Sequence, residues 1–313
     1  MTGGQKMGLR IRTNIASINA QRRLTKSTMN LQDSAAKLAS GKRINKAADD
    51  AAGLAISSNL SSDIRSLNQA RRNALDGVSL VQTAEGSLEE TTNMLTRLRE
   101  LAVQSASDTV GETERGFIDK EFLALKDEID RIANATEFNG TRLIVGGADL
   151  PEEIANPEGT FPLEIQIGKD YFSGVDAVSE PNQVNVIKID LQNINAFTSG
   201  EGSLDIGRAE EGTRVNTKQS AQQSIMKLDD AIVKVSDYRS YLGAIQNRLG
   251  TTIDNLGTSV ENLTSANSRI LDTDFAEETA RYTSSNILQQ AGASVLAQAN
   301  QQPQVAMNLV QSL

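Results

Sequence analysis

Between Ala221 and Leu263 apolar residues recur at alternating steps of four and three: Ala221, Ile225, Leu228, Ile232, Val235, Leu242, Leu249, Ile253, Leu256, Val260 and Leu263. Only Arg239 and Gln246 interrupt the series. This spacing lays one stripe along a helix underwound to ~3.5 residues per turn, the geometry of helices packed side by side. At ~1.5 Å of rise per residue the segment is a rod of about 65 Å. A rod with one apolar edge needs a partner along its length. Ile64, Leu67, Ala74, Val78, Val81, Leu88, Leu95 and Ala102 keep the same spacing, interrupted at Arg71, Glu85, Thr92 and Arg99, and predict that partner. A shorter pattern, Ile118, Phe122, Leu125, Ile129 and Ile132, follows a short connection around Ser107 to Glu112. The third helix is therefore expected antiparallel to the second.

The two ends are helical in pattern but poorer in large apolar residues. From Leu9 to about Gly41 the series is Ile11, Ile15, Ile18, then Leu24, Leu31, Ala35 and Leu38, changing face after Ile18 and stopping at Gly41. Lys42 to Gly53 reads as a polar connector in which Asn45 or Asp49 caps the next helix. A polar break is expected at Ser265 to Asp274. The last helix then carries Leu288, Ala291, Val295, Ala299, Ala306, Leu309 and Leu313, with Gln302 interrupting and Pro303 predicting a local kink or fraying. Ile287, Leu288, Val295, Leu296, Val305 and Leu309 are too few to offset the entropy of ordering so long a segment alone. The two ends can pair as a hairpin only with much apolar surface uncovered. Residues 9–41 and 275–313 are therefore expected to order when many copies pack together.

Between Glu137 and Gly212 the period changes from helical to alternating, and most prolines gather there. Leu163, Ile165 and Ile167, then Val184, Val186, Ile187 and Ile189, read as strands of a small β-rich appendage. Asn139-Gly140 is read as leading out of a helix rather than closing a hairpin. The fold class is mainly α: a long antiparallel coiled-coil-like helical bundle with a small β-rich insert and terminal helices that pair in a polymer. The expected division is nested. Residues 9–45 and 271–313 form a terminal domain, 46–137 and 213–270 a helical middle, and 138–212 the insert.

What the composition excludes is chemistry. There are no cysteines and no histidines, which removes thiolate zinc sites, disulfides and the commonest general base. No catalytic residue, metal or cofactor is expected. Aromatics are 4% and Trp is absent, so the core is expected to be aliphatic and alanine-rich. The formal charge of −9 opposes nucleic acid and anionic membranes, and Arg10, Arg12, Arg22 and Arg23 read as helix-surface charge. Asp49-Asp50 reads as helix-terminal charge, Gly140, Gly146 and Gly147 as turn glycines, and the sequons at Asn134, Asn139 and Asn262 as chance. Met1 to Gly8 (MTGGQKMG) has the character of an expression leader. No run of eighteen apolar residues and no secretory h-region is present.

Several stretches carry a resemblance. They are Ile15 to Gln21 (IASINAQ), Ser40 to Ile56 (SGKRINKAADDAAGLAI), Arg97 to Ser105 (RLRELAVQS) and Thr136 to Gly140 (TEFNG). The C-terminal ones are Ser268 to Ala280 (SRILDTDFAEETA) and Ile287 to Gln304 (ILQQAGASVLAQANQQPQ). In this order, over nearly the whole chain, they resemble bacterial flagellin. The resemblance implies a filament subunit of the extracellular bacterial flagellum, exported unfolded by the flagellar type III apparatus. It implies a homopolymer with an export chaperone, a filament cap and junction proteins as partners. It places the terminal helices in an inner tube, with Ile11, Ile15, Ile18, Leu24, Leu31, Leu38, Leu288, Ala291, Val295, Ala299, Ala306 and Leu309 as polymer core. Relatives often carry large extra domains in the middle; here a short insert stands in their place. The resemblance also implies recognition by vertebrate Toll-like receptor 5 through Arg97, Leu101 and Glu121, with Thr96 where well-recognised relatives have glutamine. A hook–filament junction protein is the alternative reading. A metalloprotease insert, known in some flagellins, needs His-Glu-x-x-His and has no histidine to use.

Overall fold

The structure is a computed structural model. It describes residues 13–146, 156–157, 160–170, 185–200, 202–208 and 212–311, with side chains through Pro303. Five helices carry the chain: α1 (Ile15–Ser40), α2 (Ala51–Ser105), α3 (Glu112–Ala135), α4 (Lys218–Leu271) and α5 (Phe275–Gln311). Four short strands, β1 (Glu137–Phe138), β2 (Thr141–Arg142), β3 (Leu163–Gln166) and β4 (Val186–Ile189), lie between α3 and α4. The leader, Ile11 and Val184 fall outside the described residues. By contacts the chain divides into a unit of residues 1–62 and 262–313 and a unit of residues 63–261.

In the larger unit the predicted stripes meet. Along α4, Ala221, Leu228, Ala231, Val235, Leu242, Ile245 and Leu249 are buried. They share one core with Ala74, Val81, Leu88, Leu95 and Ala102 of α2. The pairing is antiparallel, since Arg99 reaches Asp229 at 2.6 Å and Arg239 approaches Glu85 at 3.9 Å. The two charges that interrupt the stripes at mid-length are thus each other's partners, which locates one helix against the other. Beside the stripe of α2, Ala84, Leu98 and Leu101 are also buried, because α3 covers a second face with Phe122, Ile129 and Ala133. Ser105 receiving Arg115, and Ser87 receiving Thr136, show α3 antiparallel to α2 as expected. The core is aliphatic and alanine-rich, with Phe122 and Phe197 its fully buried aromatics among the described residues.

The insert begins differently from its expectation. Asn139 and Gly140 both take positive φ, 50° and 80°, and close the two-residue hairpin between β1 and β2. This is the turn that asparagine–glycine favours, because its twist matches that of the paired strands. β3 and β4 pair antiparallel, Leu163 opposite Ile189 and Ile165 opposite Ile187. Beneath them Leu143, Ile144, Val145, Leu191, Ile194 and Ile206 extend the helical core into the insert.

The smaller unit joins α1 and α5 to the first turns of α2 and the last turns of α4. Asn14 caps α1 by accepting from Ser17 N, and Gly41 ends it at φ 69°. Asp50, not Asn45 or Asp49, caps α2 by accepting from Gly53 N at 2.8 Å. Asp49 instead accepts the Asn45 and Lys46 amides at 3.0 and 2.9 Å, which lowers its pKa. The expected break at Ser265 narrows to residues 272–274, since α4 continues to Leu271. Asn267 makes this possible by bonding Ser57 at 2.6 Å and Ser61 at 3.4 Å, giving a polar stretch a packed partner. The two connectors zip together: Arg43 N donates to Leu271 O at 2.7 Å and Thr273 N to Gly41 O at 3.1 Å. The helix α5 is continuous through Pro303.

Candidate functional site

The helices α1 and α5 form an antiparallel hairpin whose seam is polar and small. Asn14 Nδ2 donates to Ala299 O at 2.7 Å, Ser17 Oγ to Asn300 Oδ1 at 2.7 Å, and Ser27 Oγ to Ser285 O at 3.2 Å. Gly292 lets the backbones approach: a Cβ there would stand 3.3 Å from Leu24 Cδ1. Only Ala20, Ser34 and Glu278 are buried among the described side chains of the pair. The large apolar groups point away instead, with Ile15 50%, Ile18 48%, Met29 62%, Ile287 61%, Leu288 58% and Val295 54% exposed. Leu24, Leu31, Leu38 and Ala299 are half-buried and Ala291 is exposed. Of Ala306 and Leu309 only the helical backbone is described, and Ile11 lies outside the described residues. The ends thus adopt the hairpin that sequence allowed, and its apolar faces are uncovered. Contiguous exposed apolar surface on this scale marks an interaction surface.

A second surface lies where α2 and α3 run side by side. Arg97 donates from Nε and Nη2 to Glu121 Oε1 at 3.1 and 2.8 Å, and from Nη1 to Glu100 Oε2 at 3.0 Å. These bonds, Glu121 first, raise the Arg97 pKa. The Arg97 and Glu121 side chains are half exposed, while Leu101 is 2% exposed and belongs to the core beneath them. Sequence reasoning passes over Phe117, 65% exposed one turn before Glu121, with Lys120 Nζ 5.9 Å from its ring centroid. Its signal is an aromatic out of step with the Ile118–Phe122 stripe.

Also unread from sequence is a set of charges on α3 that grips the returning insert. Asp119, 4% exposed, accepts Val215 N at 3.0 Å and Arg214 Nη2 at 2.7 Å. Lys126 is fully buried and donates to Thr213 O at 3.1 Å and Arg208 O at 3.3 Å. Asp130 accepts Thr198 N at 2.8 Å and its hydroxyl at 2.9 Å. Burial pushes the Lys126 pKa down to about 8, opposed by Asp130, Asp119 and Asp127. Buried charges of this kind are paired and bonded rather than reactive. Among the described residues no three His, Cys, Asp or Glu gather to hold a metal ion, and no helix is long and apolar enough to cross a membrane.

Comparison with known proteins agrees with this architecture. Residues 11–148 match the bacterial flagellin N-terminal helical region and residues 225–310 the C-terminal helical region. The flagellin of Halalkalibacterium halodurans is 40% identical over 300 residues, covering 96% of this chain and 99% of that protein. The flagellin of Bacillus subtilis is 41% identical over 305 residues, covering 96% and 100%. A putative flagellar hook-associated protein from Vibrio parahaemolyticus shares the fold at TM-score 0.54 and 14% identity, over 72% of this chain and all of that one. With its nested helical ends, its small β insert and both family regions in place, this chain belongs to the bacterial flagellins, a family of structural filament subunits rather than enzymes.

Proposed function

We propose that the chain polymerises through the outer faces of α1 and α5, so that these helices line the inner core of a flagellar filament. The observation that carries this reading is the row of uncovered large apolar side chains on a pair whose own seam is polar. Neighbouring copies supply what the hairpin lacks, and each added subunit removes that surface from water. Ile11, Ala306 and Leu309 extend the same faces. The domain limits proposed for assembly remain 9–45 with 271–313 for the inner core, 46–137 with 213–270 for the helical middle and 138–212 for the insert. Marginal terminal helices also suit export in unfolded form with a chaperone, and growth beneath a cap from junction proteins.

The test is Val295→Asp. It would place an unpaired carboxylate among packed subunits, at a cost of several kcal/mol per subunit. The variant is expected to keep the 63–261 unit folded by circular dichroism and to yield no filaments by electron microscopy. Normal filaments would remove α5 from the core. Long homopolymers from the purified chain separate a filament subunit from the junction-protein alternative, which caps growth.

The same reading includes recognition of the free monomer by Toll-like receptor 5, with Arg97 and Glu121 as the exposed contacts and Leu101 as their apolar support. Residues on this α2–α3 face that become buried between subunits are then available only before assembly.

A further inference from the structure

The hairpin of α1 and α5 segregates its charge. From Thr13 to Gln32 and from Thr283 to Leu313 there is no acidic residue, while Arg22, Arg23 and Lys26 are all exposed on α1. The acids gather at the other end, where a groove of about 590 Å³ opens between the helices around Ser34, Lys37, Glu278 and Ser285. Two carboxylates there are satisfied: Asp33 pairs with Lys37 at 3.0 Å and Glu277 with Arg281 at 2.6 Å. Glu278 is not. It is 6% exposed, lines the groove, and makes no side-chain hydrogen bond or ion pair among the described residues. A buried carboxylate without a partner is costly, so its position calls for a cation. A divalent metal does not fit, because Asp33 and Glu277 are engaged and no third free ligand stands by.

We propose that the groove at Glu278 receives the guanidinium or ammonium group of Arg22, Arg23 or Lys26 from a second copy of this chain. This inference rests on the assembly reading and names one contact within it. The copy's own cations cannot serve: Lys26 lies eight residues along α1 from Ser34, about 12 Å of helix. A neighbour displaced along the helix pair brings its basic segment to the acidic end, so each interface couples the charges that each monomer leaves apart. Arg22 and Lys26 are one turn apart and present both charges on one face. The contact also gives the polymer a register, which apolar packing alone specifies weakly.

The test is a double-mutant cycle on filament assembly, read as the concentration of monomer left after sedimentation. Glu278→Gln keeps the side-chain shape and is expected to raise that concentration about tenfold, as for loss of one partner of a buried charge pair. The triple variant Arg22→Gln, Arg23→Gln, Lys26→Gln should do the same. Combining all four changes should cost no more than either set alone. Additive effects, or Glu278→Gln assembling at the wild-type concentration, overturn the pairing while leaving polymerisation intact. Binding of methylguanidinium to wild-type monomer, together with a triple variant that assembles normally, would assign the groove to a free amine and overturn it as well. Failure of the unmutated chain to form filaments under any condition overturns the assembly reading, and the pairing falls with it. Helicity of each variant by circular dichroism confirms that the hairpin is retained.

Discussion

Lys126 makes the larger unit more stable in alkali, against the usual expectation for a protein. Its ammonium is buried where desolvation holds the pKa at about 8, below the 10.5 of a solvated lysine. Below pH 8 the folded and unfolded chains both carry the proton, and the folded state bears the whole penalty of a buried charge. Between about pH 8 and 10.5 the folded chain releases its proton while the unfolded chain retains it. The unfolded state then binds more protons, so unfolding becomes harder as pH rises. Each pH step across this window adds about 1.4 kcal/mol, so the gain is on the order of 2–3 kcal/mol by about pH 10. Other lysines and the tyrosines titrate in this range, so the comparison must be with Lys126→Met, which lacks only this group. Urea unfolding of both proteins from about pH 7 to 10, followed by circular dichroism, should show the difference in stability growing in favour of the wild type. Parallel pH profiles would mean that the ammonium is not desolvated, and α3 would lose the central group of its grip on the returning chain.

The remaining predictions concern separate parts of the molecule. Arg97→Asp sets a third carboxylate beside Glu100 and Glu121 and should abolish Toll-like receptor 5 signalling by monomer in a reporter-cell assay; full signalling would refute that assignment. Asp119→Ala removes the acceptor of Val215 N and the partner of Arg214, and should destabilise the larger unit by about 3 kcal/mol in urea. Gly212 holds φ 91° with backbone of Ile206 and Gly207 within 3 Å of where a Cβ would stand. Gly212→Ala should therefore lower stability by roughly 1–3 kcal/mol, with amide exchange of Ile206 and Thr213 accelerated first.

Much of the helical architecture is legible because it rests on periodicity, which survives changes of detail. The stripes of α2 and α4 follow from spacing alone, and even their interruptions are informative, since Glu85 and Arg239 approach each other. What could not be read depends on partners distant in sequence. Lys126 sits among Leu125, Asp127 and Glu128 like any solvated helix lysine, yet its acceptors are carbonyls at Arg208 and Thr213. Ser265 to Leu271 lacks apolar spacing and stays helical through bonds from Asn267 to α2. Asn139-Gly140 hides its hairpin because the strands that it joins are two residues each, too short to show alternation. The choice between Asp49 and Asp50 as a cap turns on one residue of backbone path. At the candidate surfaces, the exposed apolar rows of α1 and α5 are legible as helical positions, whereas the depth of Leu101 depends on α3 lying over it.

The way the β insert is stitched at its base has a consequence for how such chains diversify. Val145 bridges Asn195, and Ala196 N donates to Ile144 O at 2.9 Å, so the outgoing and incoming strands of the excursion are already fastened together. Anything spliced between those points begins and ends at a closed neck. Lengthening it costs only the slow logarithm of loop size. Foreign sequence of almost any length could be carried there as cargo, leaving the helices that do the building unaware of it.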